Sequence, residues 1–234
     1  MIRSLKRFPI HFEAILFDLD GTLLDTLEDL SNAANRVLVR NGFPTHKMDV
    51  YRYFVGDGVA VLMNRALPED KRNDEIICTC VQEFREEYGQ NWNVKTKLYD
   101  GVAEMLDTLA AYSLKIAILS NKPDEFTKRC VAEFLPKWTF DIVLGQLNSL
   151  PLKPDPAGAK GIAKCLKIPP SNFIYLGDTA IDMKTAVAAG MFPVGALWGF
   201  RTGKELLENG AQVLIKRPQD ILNLLDSNGC VINK

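Results

Sequence analysis

The stretch Ala14–Thr22, which reads AILFDLDGT, decides the fold of this chain. Its first four residues form a continuous apolar run, which is typical of a parallel strand covered on both faces. Two aspartates and a glycine that permits a sharp turn come directly after the run. Ligands of open parallel sheets bind beyond the carboxyl ends of the strands. The sequence therefore predicts that Asp18 and Asp20 lie in a binding crevice.

Five further apolar runs alternate with helical patterns along the chain. The predicted strands are Ala14–Phe17, Lys115–Leu119, Asp141–Leu144, Phe173–Leu176, Pro193–Leu197 and Gln212–Leu214. The helices predicted with them are Gly101–Tyr112, Asp124–Phe134, Ala157–Leu166, Ile181–Ala189 and Pro218–Leu225. Alternation of strand and helix is typical of an α/β fold with a doubly wound parallel sheet.

Residues 26–95 break this alternation, because they contain no convincing strand. Helical patterns cover most of the region instead: Leu27–Arg40, Met48–Phe54, Val59–Ala66 and Asn73–Tyr88. We interpret the region as a helical insert between the first two strands of the sheet. The predicted division is a catalytic core of residues 1–25 and 96–234, with an inserted helical domain of residues 26–95.

Composition and charge place the chain among ordinary globular proteins. Of its 234 residues, 47% are hydrophobic and 24% are charged, and the formal net charge is −1. A molecule without a strong overall field offers little attraction to nucleic acid or to an anionic membrane, so we expect neither as a partner. The cysteines have no zinc-site spacing, and we expect them to be reduced thiols: Cys78, Cys80, Cys130, Cys165 and Cys230.

The beginning of the chain is basic, with Arg3, Lys6 and Arg7, as the start of a secretory signal would be. Pro9 and Glu13 interrupt the apolar run that follows, which argues against a signal peptide. No apolar stretch reaches the length that spans a bilayer. We therefore expect a cytoplasmic protein, either a monomer or a homodimer.

Four separate segments carry polar side chains to the carboxyl ends of predicted strands. Asp18 follows the first strand, Ser120 follows the run IAIL, Asp178 follows IYLG, and Lys153 follows the third strand by a short loop. One such residue is common by chance, but four together indicate an active site. The structural alternatives are a helix cap at Ser120 or Asp178 and a solvated lysine at 153.

These groups suit the transfer of a phosphoryl group to a carboxylate. A divalent cation held by Asp18 and Asp178 would remove the repulsion between carboxylate and phosphate, and hard oxygen ligands favour Mg²⁺. Lys153 and the hydroxyl of Ser120 would stabilise charge on the transferring group. Asp18 would attack phosphorus and form an aspartyl-phosphate.

Asp20 completes the predicted mechanism as an acid and base. Its protonated form would give a proton to the leaving alkoxide and would later take one from water. We expect the hydroxyl of Thr22 to hold Asp20. Asp182 lies one helical turn after Asp178, so it faces the same side and would orient Lys153 or a metal-bound water. Its structural alternative is stabilisation of a first helical turn.

The four segments resemble the motifs of the haloacid dehalogenase superfamily of phosphatases. The matching residues are Asp18-Leu19-Asp20-Gly21-Thr22, Ser120-Asn121, Lys153-Pro154, and Gly177-Asp178 with Asp182. The resemblance implies a Rossmann-like core with a mobile helical cap, Mg²⁺, and transfer through an aspartate. It also implies that the carbonyl oxygen of Asp20 binds the metal beside Asp18 and Asp178. We count Thr22, Ser120, Asn121 and Lys153 among the substrate-binding residues.

Within the superfamily, the chain resembles the phosphoglycolate phosphatases. The segment FVGDGV at residues 54–59 is similar to their glycine-bearing cap loop, and Trp198–Arg201 and Gly210-Ala211 also match. We expect Gly56, Asp57 and Gly58 to contact the substrate, although a tight turn would explain them equally well. The favoured substrate is a small phosphorylated metabolite, 2-phosphoglycolate. Outside this match, we expect Arg201 to be a surface cation.

Other functions fit the same residues. A phosphomutase also needs an acid at Asp20, but it returns the phosphoryl group to a sugar. A phosphatase of pyrophosphate or nucleotides would use the same fold, and a phosphate-binding regulatory module would keep the fold without turnover. The intact set of Asp18, Asp20, Ser120, Lys153 and Asp178 counts against the regulatory module. Phosphate release would separate a hydrolase from a mutase.

Overall fold

The computed structural model describes residues 11–226, so the basic residues Arg3, Lys6 and Arg7, Pro9 and Cys230 lie outside the described part of the chain. The strands are β1 (Ala14–Phe17), β2 (Leu24–Asp25), β3 (Lys97–Leu98), β4 (Lys115–Pro123), β5 (Ile142–Gln146), β6 (Phe173–Gly177), β7 (Phe192–Ala196) and β8 (Val213–Ile215). The helices are α1 (Leu27–Arg40), α2 (Met48–Tyr51), α3 (Val59–Ala66), α4 (Asp74–Asn91), α5 (Val102–Leu109), α6 (Asp124–Phe134), α7 (Ala157–Leu166), α8 (Ala180–Ala189), α9 (Gly203–Glu208) and α10 (Leu222–Asp226).

Six of the strands form one parallel sheet in the order β5-β4-β1-β6-β7-β8. These are the six strands that the apolar runs predict, with ends that shift by a few residues. The largest shift is in β4, which continues to Pro123 and carries Ser120 and its two followers in extended backbone. The predicted doubly wound α/β fold is confirmed.

Strand β1 is the topological switch point of the sheet. The chain builds β4 and β5 on one side of β1 and β6, β7 and β8 on the other. At such a point, the connections leave in opposite directions and open a crevice beyond the strand ends. The residues that follow β1, β4 and β6 therefore meet in one place.

Helices cover both faces of the sheet, as the apolar runs of the strands require. In β1, Ile15 and Phe17 pack into the larger hydrophobic core, which continues into the helical insert. Ala14 and Leu16 face the opposite core, which includes residues of α7 and α8. Because successive side chains of a strand point to opposite faces, this alternation fixes the register of the sheet.

The insert consists of α1 to α4, and residues 26–95 contain no strand, as the sequence predicts. A short antiparallel ribbon of β2 and β3 lies at its two ends, pairing Leu24 with Leu98 and Asp25 with Lys97. The ribbon joins the chain leaving the sheet to the chain returning to it. The sequence did not predict it, because two-residue strands carry no periodicity.

Some further elements differ from the sequence prediction, among them the helix predicted over Met48–Phe54, which ends at Tyr51. Helix α9 was missed, and the closing helix begins as a 3-10 turn at Pro218–Ile221 before α10. None of the helices that the described residues form combines the length and the apolar character needed to cross a bilayer.

Candidate active site

Lys153 lies between two carboxylates at the carboxyl edge of the sheet. Its Nζ is 2.8 Å from Oδ1 of Asp18 and 2.7 Å from Oδ1 of Asp182, and it donates a hydrogen bond of 3.2 Å to the carbonyl of Leu119. The side chain is only 4% exposed. The alternative of a solvated lysine is therefore wrong, and the predicted contact between Lys153 and Asp182 is present.

Both oxygens of the Asp178 carboxylate accept hydrogen bonds. The hydroxyl of Thr22 donates to Oδ1 at 2.9 Å, and the backbone N–H of Phe200 donates to Oδ2 at 2.7 Å. The prediction that Thr22 holds Asp20 is wrong, because its hydroxyl is committed to Asp178. Thr22 is fully buried and does not line the cavity described below.

Gly21 makes this arrangement possible. Its φ is +92°, a left-handed conformation that glycine adopts without steric cost, and the chain reverses there after β1. A Cβ at this position would lie 2.3 Å from Oδ2 of Asp178. The sharp turn predicted from the sequence thus also creates the space for the second carboxylate.

The N-terminal cap of α8 shows whether Asp178 or Asp182 has a structural role at the start of that helix. Thr179 is the N-cap and forms a capping box with Asp182, so Asp178 does not cap the helix. Asp182 accepts bonds from the backbone N–H and the hydroxyl of Thr179 at 3.1 and 2.6 Å. Asp182 therefore stabilises the first helical turn and contacts Lys153 at the same time.

Asp18, Asp178 and Asp182 form a buried acidic cluster in which one carboxylate oxygen of each residue lies within 4.8 Å of the other two. Burial raises the pKa of Asp18 well above its ordinary value, and the charge of Asp182 adds to this effect. Burial and the charge of Asp182 also raise the pKa of Asp178 to about 7. Three carboxylates share the one ammonium of Lys153, and this excess of negative charge fits a divalent cation with oxygen ligands.

The side chain of Asp20 lies outside this cluster and contacts a different lysine. Nζ of Lys122 is 3.1 Å from both carboxylate oxygens of Asp20 and donates to the hydroxyl of Tyr88 at 2.8 Å. Burial alone would lower the pKa of Lys122, but the charge of Asp20 reverses the direction and raises it. The backbone carbonyl of Asp20 as a metal ligand stays a prediction.

Sequence reasoning did not single out Lys122. A signal was available, because residues two apart in extended backbone share a face, and Lys122 follows Ser120 by two positions. Within the segment SNKP, only Ser120 was expected to contribute to the strand end. Helix α6 begins at Asp124, as predicted, and β4 continues through Lys122 to Pro123.

Ser120 and Asn121 have different surroundings at the end of β4. The hydroxyl of Ser120 accepts a bond of 3.2 Å from the backbone N–H of Lys122 and does not cap α6, whose N-cap is Pro123. The amide of Asn121 donates to the carbonyls of Gly56 and Lys153, both at 3.0 Å, and accepts from the N–H of Lys153 at 2.8 Å. Asn121 thus braces the Lys153 loop and contacts the insert.

The glycine-bearing loop of the insert lies over the site. Gly56 and Gly58 line the cavity, whereas Asp57 does not and forms an ion pair of 2.6 Å with Arg65. Contact between Asp57 and a substrate stays a prediction.

Arg201 fastens this loop to the core. Its side chain is 7% exposed and donates a hydrogen bond of 3.2 Å to the carbonyl of Val55. The expectation that Arg201 is a surface cation is therefore wrong. A second bond runs from the insert to the core: Arg52 donates a hydrogen bond of 3.1 Å to the carbonyl of Gly199.

A small cavity lies between the sheet edge and the insert. Its volume of about 50 Å³ holds the centres of a few water molecules at ~10–15 Å³ each. The core contributes charged and polar side chains, and the insert contributes mainly apolar ones. The lining residues are Asp18, Asp20, Leu30, Val55, Gly56, Gly58, Val59, Leu62, Phe84, Arg85, Tyr88, Ser120, Asn121, Lys122, Pro123, Phe126 and Lys153.

The structure thus brings together most of the predicted site residues. Asp18, Ser120 and Lys153 line the cavity, with Asp178 and Asp182 buried beside Asp18 and Lys153. The combination places buried carboxylates, which could hold a cation, beside an ammonium at one sheet edge.

Comparisons with known proteins agree with this geometry. A family described as haloacid dehalogenase-like hydrolase matches residues 15–196. A phosphoglycolate phosphatase of Colwellia psychrerythraea is 33% identical over 205 residues, which cover 86% of this chain and 91% of that protein. One of Nitrosospira multiformis is 30% identical over 227 residues, which cover 94% and 99%.

Solved structures show the same architecture. The crystal structure of a predicted phosphoglycolate phosphatase from Haemophilus somnus has a TM-score of 0.83 at 27% identity and covers 91% of this chain and 97% of that one. The family match spans most of the chain and contains the ends of β1, β4 and β6, where the acidic cluster and Lys153 lie. The chain therefore belongs to the haloacid dehalogenase-like hydrolases.

Proposed function

We propose that the protein is a Mg²⁺-dependent phosphatase that hydrolyses a small phosphate monoester through an aspartyl-phosphate on Asp18. One observation carries the proposal: Asp18 lies in a buried acidic cluster, 2.8 Å from the Lys153 ammonium, on the wall of a cavity. An anionic ester can approach a carboxylate only where positive charge outweighs the repulsion between them.

Each residue of the site has a defined task in the first half of the reaction. Asp18 and Asp178 would hold Mg²⁺, with the main-chain carbonyl of Asp20 as a further ligand. When bound, the cation supplies Lewis-acid charge that offsets the repulsion between Asp18 and the phosphate. Lys153 and Ser120 stabilise the transferring phosphoryl group, and Asp182 keeps Lys153 in place. Asp18 attacks phosphorus and the bond to the ester oxygen breaks.

Asp20 acts as a general acid in the first half of the reaction and as a general base in the second. It gives a proton to the oxygen of the leaving alcohol and later takes one from the water that attacks phosphorus. The second attack breaks the bond between phosphorus and Asp18, so the carboxylate returns to its initial state. Inorganic phosphate and the alcohol are the products.

We propose 2-phosphoglycolate as the substrate. The relatives named as phosphoglycolate phosphatases support this choice, because they align with 86% or more of this chain. The small volume of the cavity favours a small ester over a large one. Among the cations that line the cavity, Lys153 and Lys122 contact carboxylates of the protein, whereas Arg85 of α4 is available for the carboxylate of the substrate.

We also propose that residues 26–95 form a cap domain over the core of residues 1–25 and 96–234. The ribbon of β2 and β3 lies at the boundary between them, and three side-chain hydrogen bonds join the insert and the core near the site. Closure would keep water that is not poised for attack away from the aspartyl-phosphate.

A panel of small phosphate esters, assayed with and without Mg²⁺, tests the proposed function. We expect phosphate release that requires Mg²⁺ and is fastest for 2-phosphoglycolate. Asp18→Asn should abolish release and leave the circular dichroism spectrum unchanged, because the amide cannot act as the nucleophile. Near-normal turnover in Asp18→Asn, or isomer formation from a sugar phosphate without phosphate release, would contradict the proposal.

A further inference from the structure

The Asp20 carboxylate needs a fixed position if it is to transfer protons, and its expected partner binds elsewhere. Thr22, the predicted holder, donates its hydroxyl to Asp178. Among the described residues, the group that meets the carboxylate within hydrogen-bond distance is the ammonium of Lys122, which is 3.1 Å from each oxygen. Because both oxygens lie at the same distance from one ammonium, the contact holds the carboxylate toward Lys122.

Lys122 is itself held by the helical insert. Its side chain is 3% exposed and donates a hydrogen bond of 2.8 Å to the hydroxyl of Tyr88. Its Nζ also lies 4.7 Å from the centre of the Tyr88 ring. Tyr88 in turn stacks on Phe84 at 5.5 Å and packs edge-on against Phe126 at 5.3 Å. Burial of an ammonium costs free energy unless the charge is paired. These contacts therefore hold the Lys122 ammonium between Asp20 and Tyr88.

The geometry points to Lys122 as the positioning residue for Asp20, with Tyr88 of the insert completing the arrangement. This inference rests on the proposed function, because it concerns the proton transfers assigned to Asp20. Lys122 takes no net part in those transfers. It places the carboxylate, and its three N–H donors are used by Asp20 and Tyr88 rather than by the substrate.

The arrangement also connects the insert to the chemistry. Tyr88 belongs to α4, Lys122 to β4, and Asp20 to the turn after β1, so the contact spans the cavity from one wall to the other. Any displacement of α4 from the core would remove the Tyr88 hydroxyl from Lys122. Asp20 is therefore best placed when the insert lies against the core.

Double-mutant cycles with two esters test the inference. The first ester is an alkyl phosphate that the wild type hydrolyses, whose alkoxide needs a proton, and the second is p-nitrophenyl phosphate, whose leaving group needs little protonation. Lys122→Met should lower kcat for the alkyl ester by about ten- to a hundredfold, part of the ~10²–10⁴-fold that a positioned acid contributes, and lower it less for the aryl ester. In an Asp20→Asn background, Lys122→Met should cause no further loss.

Two further variants and a control complete the design. Tyr88→Phe keeps the ring packing and removes the hydroxyl, and Lys122→Arg keeps the charge; we expect a smaller loss of the same selectivity in the first and partial rescue in the second. Lys128→Met on the exposed side of α6 should change neither rate. If Lys122→Met does not fold, the two conservative variants decide the question.

The results separate the two proposals. Equal losses on both esters, or a full additional loss in the Asp20→Asn background, would overturn the role of Lys122 while leaving the phosphatase proposal intact. Wild-type protein that releases no phosphate from any ester would instead overturn the proposed function.

Discussion

At the scale of single residues, the site depends on how buried charge is balanced. Asp18, Asp178 and Asp182 lie close to one ammonium, that of Lys153, and all four side chains are buried. Desolvation and mutual repulsion disfavour the charged carboxylates, and a dication favours them. The acidic cluster is therefore poorly balanced without a cation.

The first prediction concerns the pH dependence of this balance. The pKa of Asp178 is raised from 3.8 to about 7, so the folded metal-free protein binds more protons than the unfolded chain between these values. Its stability contribution from Asp178 therefore falls as the pH rises through that window. Mg²⁺ should raise the unfolding temperature more at pH 8 than at pH 5.5, as thermal unfolding with a Mg²⁺ titration will show.

Asp178→Asn provides the control for this titration. It removes the titrating group and one cation ligand, so the difference between the two pH values should shrink and the effect of Mg²⁺ should weaken. An equal stabilisation by Mg²⁺ at both pH values in the wild type would count against a cation bound by these carboxylates.

The second prediction concerns recognition of the substrate by Arg85. Replacement by Met should raise KM for 2-phosphoglycolate about tenfold, because a charged hydrogen bond contributes ~1.5–3 kcal/mol, less where water has access. KM for p-nitrophenyl phosphate, which has no carboxylate, should not change. Arg129→Met is the matched control, since Arg129 stacks on Trp92 and does not line the cavity. A similar rise in KM for both esters would remove Arg85 from this role.

Residues at strand ends were predictable from the sequence, and their partners were not. Asp18, Asp178 and Lys153 each follow an apolar run or its short loop, so the topology alone brings them together. The partner of Asp20 depends instead on the directions in which side chains point. The left-handed turn at Gly21 directs the Thr22 hydroxyl to Asp178 and not to Asp20. For this reason Thr22 was assigned to the wrong carboxylate and Lys122 was overlooked.

At the scale of elements, Asp29 closes the base of the insert. This carboxylate in the first turn of α1 is 2% exposed and accepts bonds from the N–H groups of Lys95 and Thr96 and from the Thr96 hydroxyl, at 2.8–3.0 Å. The bonds tie the first helix of the insert to the chain that returns to the sheet. They lie beside the ribbon of β2 and β3 and strengthen the same junction.

The third prediction follows from these bonds. Asp29→Ala leaves the N–H and the hydroxyl of buried Thr96 without this acceptor, and it also removes the acceptor of the Lys95 N–H. We expect a loss of about 2–4 kcal/mol in the free energy of unfolding. Urea unfolding monitored by fluorescence measures it. Glu28→Ala at the exposed neighbouring position should have little effect. A loss no larger than that of the control would show that the junction does not depend on Asp29.

The sequence predicted the long elements well because their patterns have physical causes. Runs such as Phe173–Leu176 are apolar on both faces because helices cover the sheet on both sides. The ribbon of β2 and β3 pairs two residues on each strand, and α9 has six residues with one that is fully buried. Elements this short are determined by tertiary contacts, which no local pattern contains.

At the scale of the whole molecule, core and insert meet through side chains that reach across the site. Arg52, Asn121 and Arg201 each donate to a backbone carbonyl of the opposite part at 3.0–3.2 Å, and Lys122 reaches Tyr88. Few bonds of moderate strength can form and break together, which suits a closing motion. The apolar lining of the insert would then exclude water from the cavity.

The fourth prediction tests this closure. Amide hydrogen exchange in residues 54–58 and in α4 should slow when Mg²⁺ and a phosphate mimic such as orthovanadate are both present. Neither ligand alone should have the full effect, because both are needed to fill the space between insert and core. Exchange in β6, which is buried in the sheet, serves as the internal reference. Unchanged exchange at residues 54–58 would contradict closure over the ligand.

The most direct measurement is chemical trapping of the phosphorylated residue. Protein mixed with ³²P-labelled substrate and Mg²⁺ should be quenched in acid, where acyl phosphates persist, and then reduced with borohydride, which converts a phosphorylated aspartate to homoserine. Peptide mass spectrometry should find homoserine at position 18 in the wild type and no labelled chain in Asp18→Asn. Turnover without label on the chain, or with label on another residue, would contradict Asp18 as the nucleophile.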